Sequence, residues 1–193
     1  MTLSKVLLAS VTALVFTGSA QAGDTTFSVS GGLLINQGNT VDLTQKTSGG
    51  YTLEADALFN PENFGPKIQV YLGYAHFPAA AGTVDQPTFV LNSPRFGADL
   101  VYKPWDTVPI RFEVGPSIHI WKGDQKGGDP SLYPADQHLK LGWRVGMGYD
   151  LSEHWAMSLR YTFTEWRSNP DLELGSRNPS RPAYFSLMAS YRF

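Results

Sequence analysis

Glu113, Ser117 and His119 fall on one face of a single alternating segment, which brings a carboxylate, a hydroxyl and an imidazole into line at even spacing. Those are the parts of a nucleophilic set, in which an imidazole takes the hydroxyl proton and a carboxylate orients the ring. The same alternation puts all three beside Arg111, so an imidazole bonded to Glu113 or to an arginine is the plainer expectation. The chain has four histidines. His76 lies on an apolar face with Pro78, not a serine, two residues on; His138 borders a polar stretch and His154 sits in a short turn. None has metal-ligand spacing with another. Asp124, Asp129 and Asp136 share one polar stretch, but their spacing matches no calcium loop, and solvated acids are the expectation there. No metal and no cofactor is expected. Cysteine is absent, which excludes disulfides, thiol chemistry and an acylated N-terminal cysteine.

Charges recur elsewhere with the same period. Glu54, Asp56, Arg95, Asp99, Arg111, Glu113, Arg144 and Arg160 share an inner face with Lys67, Gln69, Lys140, Asp150 and Arg192, and with small residues such as Gly73, Gly97, Gly115, Gly146 and Gly148. The opposite face is apolar and uninterrupted by charge, for example Leu53, Ala55, Ala57 and Phe59, or Ile110, Phe112 and Val114. Alternation predicts strands over 25–35, 50–59, 67–77, 95–102, 108–121, 138–151, 155–166 and 183–193. Three connectors are short (60–65, 103–107, 152–154) and four are long and polar (36–49, 78–92, 122–137, 167–182), in strict alternation. Pro116 is expected to cost a ladder bond or form a bulge without shifting the register.

An even number of strands with charge on one face and grease on the other predicts an all-β, antiparallel, up-and-down transmembrane barrel of eight strands. A barrel of that size holds only side chains, so the acids and bases should neutralise one another and close the lumen. Aromatic residues mark the strand ends: Phe59, Tyr102, Trp105, Tyr149, Trp155 and Phe193 on the short-turn side, Tyr51, Tyr74, Trp121 and Trp166 toward the long loops. The other reading of the alternation is a soluble barrel of the lipocalin kind. It is opposed by the lack of an early Gly-x-Trp motif, by the loop asymmetry and by a final strand that runs to the last residue.

Residues 1–22 read as a cleaved secretory signal, with Lys5, an apolar core and a small-x-small site before Gly23, leaving 23–193 as one barrel domain. No later stretch is long and apolar enough for a membrane helix. A formal net charge of −2 gives no reason to expect nucleic acid as a partner.

The end of the chain, Phe185-Ser-Leu187-Met-Ala-Ser-Tyr191-Arg-Phe193, and the segment opening Gly142-Trp143-Arg144-Val145-Gly146-Met147-Gly148 resemble small eight-stranded outer-membrane proteins of the OmpA transmembrane-domain and Ail/OmpX type. The resemblance implies a monomer in the outer membrane of a Gram-negative cell, with long loops outside and both termini periplasmic. It implies that Phe185, Leu187, Tyr191 and Phe193 form the signal read by the barrel assembly machinery. No peptidoglycan-binding domain is expected after Phe193. The role implied is structural or surface-interacting, not enzymatic. Arg167, Arg177 and Arg181 in the fourth long loop are expected to contact lipopolysaccharide phosphates. The alternatives are a lipid A-modifying enzyme of the PagL or PagP kind and a narrow pore. PagL-like enzymes carry His-x-Ser on the lipid side, whereas this chain has Ser117-x-His119 on the inner face.

Overall fold

In the structure, a computed structural model, the described residues are 25–38, 40, 44, 48–61, 65–82, 88–105, 107–126, 137–164 and 182–193. The expected signal segment and Trp166, Arg167, Arg177 and Arg181 lie outside them. Eight antiparallel strands close into a barrel in chain order. They are β1 (Thr26–Gly38), β2 (Ser48–Phe59), β3 (Lys67–Phe77), β4 (Thr88–Tyr102), β5 (Ile110–Lys126), β6 (Gln137–Asp150), β7 (Trp155–Thr164) and β8 (Pro182–Arg192). Closure is made by β8 against β1, from Ser28 opposite Arg192 to Gly38 opposite Pro182. It leaves no unpaired edge along the wall, which is what allows a sheet to sit in hydrocarbon.

The faces follow the alternation. Leu33, Leu53, Leu139, Leu141 and Leu159 point outward and exposed, while Glu54, Arg95, Asp99, Glu113, Arg144 and Arg160 point inward and buried. Phe59, Tyr102, Trp105, Tyr149, Trp155 and Phe193 are all exposed at the short-turn end, as an interfacial girdle requires. Trp121 departs from the expected girdle. It shares the parity of His119, so it points into the barrel and is buried.

β4 and β5 are longer than expected. The predicted loops 78–92 and 122–137 lose residues 88–92 and 122–126 to a ribbon in which Thr88 pairs with Lys126 and Asn92 with Lys122. Pro94 and Pro116 interrupt this ladder. Pairing lapses between Asn92 and Arg95 and between Gly97 and Leu100, and the same register resumes after each lapse. A missing N–H therefore removes local bonds and leaves the phase of the strand intact.

Glycines set the width of the lumen. Gly73 pairs with Arg95, Gly146 with Arg160 and Gly148 with Arg111, and a Cβ at each would meet the arginine side chain, while at Gly115, which pairs with Arg144, it would meet Asp99 and the Ala98 carbonyl. Gly97 serves an aromatic ring in the same way: a Cβ there would meet Tyr71 Cζ at 2.7 Å and the Pro116 carbonyl oxygen at 2.5 Å. Gly97→Ala should cost about 1–3 kcal/mol of unfolding free energy through overpacking. The outward Gly31→Ala, whose Cβ would meet Leu53 Cδ2 at an ordinary 3.4 Å, should change it little. Urea midpoints read from the mobility of folded and unfolded barrel on gels check this, and equal midpoints for Gly97→Ala and the parent would contradict it.

Candidate functional site

The interior is layered. At mid-barrel the Glu54 carboxylate on β2 accepts from three guanidiniums: Arg144 Nη1 at 2.7 Å, Arg160 Nη1 at 2.7 Å and Arg95 Nη2 at 3.4 Å. Arg144 also clamps Asp99, through Nε at 2.7 Å and through Nη2. Arg160 Nε donates to Glu113 at 2.6 Å, and the other Glu113 oxygen accepts from Arg111 Nε at 2.9 Å. Arg111 continues to Asp150, which also accepts from Arg192 at 2.5 Å. One chain of ion pairs thus runs from β2 through β4, β6, β7 and β5 to β8. Asp56 lies among these groups but makes no ion pair among the described residues, and its Oδ1 accepts from Ser28 at 2.6 Å. Counting it, five guanidiniums face five carboxylates, which removes most of the Coulomb penalty of burying either set.

Aromatic rings complete the layer. The Arg144 guanidinium lies 3.5 Å from the centroid of Tyr71, a cation–π contact in a desolvated site. Arg95 donates to the Tyr184 hydroxyl and to Thr52 Oγ1 at 2.7 Å. Below the network, toward the short turns, a cavity of about 20 Å³ lies among Ser28, Asp56, Gln69, Arg111, Arg160 and Arg192, room for about one water molecule.

Above the network the chemistry turns apolar. Phe77, Trp121 and Tyr184 pack edge and face at 5.0–5.6 Å, with Leu34, Ala75 and Leu91 around them. Two threonines between β1 and β2 bond across this end. Thr40 Oγ1 donates to the Ala183 carbonyl at 2.9 Å, and the Ala80 amide donates to the Thr44 carbonyl at 2.8 Å.

His119 belongs to this upper layer, and the expected Glu113 or arginine partner is replaced. Its ring nitrogens lie 3.0 Å from Ser117 Oγ and 3.1 Å from Ser93 Oγ, and its ring stacks on Trp121 at 5.7 Å. Glu113 is held by Arg160 and Arg111, so no carboxylate orients the imidazole and the triad is not assembled. His119 is fully buried, out of contact with any lipid ester. His154 is exposed at a short turn, with Nδ1 3.1 Å from the Arg192 carbonyl oxygen. The His138 side chain, Asp129 and Asp136 lie outside the described residues. Asp124 stands in β5, not in a loop, and contacts Asn92 and Lys122. Among the described residues no three His, Cys, Asp or Glu side chains gather as a metal site.

Sequence reasoning overlooked Tyr71, which covers Arg144, and Phe77 and Ser93, which belong to the upper layer. Phe77 and Tyr71 share parity with Gln69 on β3, so the signal was present. Ser93 falls before residue 95, where the sequence reading starts the fourth strand, whereas β4 begins at Thr88.

Matches to known proteins fall on the same architecture. The family described as outer membrane protein beta-barrel domain matches residues 7–193. The crystal structure of Ail, the attachment invasion locus protein of Yersinia pestis, is 12% identical, covering 90% of this chain and 100% of its own at a TM-score of 0.51. The N-terminal β-barrel domain of Pseudomonas aeruginosa OprF is 9% identical, with coverages of 90% and 100% and a TM-score of 0.52. Neisserial surface protein A is 11% identical, with coverages of 90% and 99% and a TM-score of 0.50. At these identities the likeness is one of fold. No protein of curated function matches the sequence.

Removing Glu54 leaves three buried guanidiniums short of an acceptor. Glu54→Ala should therefore lower the unfolding free energy by about 3–5 kcal/mol. Asp56→Asn, which keeps its bond from Ser28, should lower it clearly less. Reversible urea unfolding in lipid vesicles checks both, and a Glu54→Ala barrel as stable as the parent would contradict the reading.

Proposed function

The chain belongs to the outer membrane protein beta-barrel domain family, and from that premise we propose that it is a monomeric barrel with a closed lumen and a structural or surface-interacting role in the envelope. The observation that carries this reading is the filling of the lumen. A charge-balanced layer at mid-barrel and an aromatic layer above it support a closed lumen. A barrel of eight strands has little other interior to use, so its work falls to its outer wall and its long loops.

Placement follows from the family. The protein sits in the outer membrane, and in the proposed orientation the short turns and both termini face the periplasm and the long loops face outward. Phe185, Leu187 and Tyr191 alternate on the outward side of β8 and Phe193 follows it exposed, where the assembly machinery would read them. The β4–β5 ribbon supports a surface role. Its residues 88–90 and 124–126 pair beyond the last rungs shared with β3 and β6, Leu91 opposite Phe77 and Lys122 opposite Gln137. Rigid backbone carried past the wall is what loop-mediated contact requires. Lipopolysaccharide contact by Arg167, Arg177 and Arg181 remains part of the proposal.

Two measurements test this function. Planar bilayers containing the parent protein should show no steady channels; steady conductance that Glu54→Ala or Arg144→Ala abolishes or widens would make the protein a pore. Mass spectrometry of lipid A from cells with and without the inserted protein should give the same spectrum. A defined mass change lost in His119→Ala or His76→Ala would make it an enzyme.

A further inference from the structure

Two opposite charges in the interior border one cavity without meeting. Asp56 on β2 and Arg160 on β7 are both buried, and both line the space of about 20 Å³ below the ion-pair layer. Among the described residues, Asp56 Oδ2 and Arg160 Nη2 are buried without a hydrogen-bond partner. An unmet carboxylate oxygen and an unmet guanidinium N–H cost more than unmet neutral groups, because each belongs to an ion. The two would satisfy each other in a direct ion pair, yet neither is free to move into one.

Both are anchored through their other atoms. Arg160 Nε donates to Glu113 at 2.6 Å and Nη1 donates to Glu54 at 2.7 Å. A planar guanidinium held at two of its three nitrogens has no rotation left with which to follow Asp56. Its stem is packed as well, since a Cβ on Gly146 would meet Arg160 Cγ at 2.8 Å. Asp56 Oδ1 accepts from Ser28 at 2.6 Å, which holds the carboxylate from the β1 side. The gap between the two charges is therefore fixed from both sides and needs a third group to bridge it.

Charge, hydrogen bonding and size select that group. An anion would face the Asp56 carboxylate, and a cation would face Arg111, Arg160 and Arg192, all of which line the cavity. A neutral group remains. It must donate to Oδ2, which only accepts, and accept from Nη2, which only donates. Ser28, Gln69 and Ser190 line the other sides, with side chains that both donate and accept. The volume admits about one water molecule. Entry is from the short-turn end: side-chain exposure rises from 1% at Arg160 to 10% at Arg111 and 19% at Arg192, the three cations of the cavity.

We propose that this cavity is a binding site for a single water, admitted from the short-turn end, which bridges Asp56 Oδ2 to Arg160 Nη2 and so joins Asp56 to the interior network. The inference rests on the geometry of the interior and not on the proposed function, so neither conductance nor lipid A composition decides it.

The test is a crystal structure of the parent barrel that resolves ordered solvent, with a bromide soak, paired with NMR cross-relaxation from water to the protein in nanodiscs. One water should lie within hydrogen-bond distance of both Asp56 Oδ2 and Arg160 Nη2, and the water signal should reach the Gln69 side-chain amide. Asp56→Leu, which removes the acceptor and fills the space, should lose that cross-peak, and Asp56→Asn, which keeps an acceptor oxygen, should retain it. Mobility on gels verifies folding, and Ser28→Val fills the cavity from β1 if Asp56→Leu does not fold. Direct contact between Asp56 and Arg160, with no water between them, would overturn the bridge. Bromide at the same position would overturn the assignment to a neutral group. A Gln69 cross-peak unchanged in the filled variant would overturn the cavity as the site.

Discussion

One carboxylate, Glu54, accepts from guanidiniums carried by three different strands, and the interior is arranged around that convergence. Arg144 and Arg160 are fully buried, so each must be matched in charge and held by carboxylate acceptors before the wall can close around it. Asp99 and Glu113 supply the remaining acceptors on β4 and β5, and Tyr71 covers the face of Arg144. The glycines across from each arginine follow from the same demand, since a side chain at Gly146 or Gly148 would occupy the volume the cation needs. Hydrogen bonding along the backbone would be satisfied by any closed barrel. The interior layer is what gives this one a single packed arrangement.

Much of the fold was legible because alternation is a local signal. The inward parity of Glu54, Arg95, Arg144 and Arg160 can be read from their immediate neighbours. Which acid meets which base cannot, because Glu54 joins Arg144 and Arg160 across 90 and 106 residues and only closure brings them together. The same limit explains His119: Ser117, at i−2, does reach its ring, but the group on its other nitrogen is Ser93 of the neighbouring strand and not Glu113. The strand ends were hidden for two local reasons. Phe89-Val90-Leu91 is apolar on both faces and precedes a proline, and Lys122-Gly123-Asp124 has no apolar period at all. Both segments become strand by pairing with each other. Asp124, expected as a solvated loop acid, becomes through that pairing the group that orients Asn92.

Interior and exterior obey different solvents. Inside, charge is tolerated because it is balanced and mostly hydrogen-bonded, although among the described residues Asp56 Oδ2, Arg95 Nε, Asp99 Oδ1 and Arg160 Nη2 are buried without a hydrogen-bond partner. Outside, among the described residues, charge appears only where the apolar wall ends, as at Lys122 and Asp124. The barrel thus keeps its strongest electrostatics sealed and shows a limited polar surface to its surroundings, in keeping with work done at the wall and loops.

The account depends most on the Glu54 and Arg144 charges acting as one unit. A double-mutant cycle on Glu54→Ala and Arg144→Ala, read by reversible unfolding in vesicles, measures that directly. The double variant should be less destabilised than the sum of the single variants by about 0.5–3 kcal/mol. Additivity to within about 0.5 kcal/mol would mean that the two residues do not act together, and would contradict the network as the organiser of the lumen.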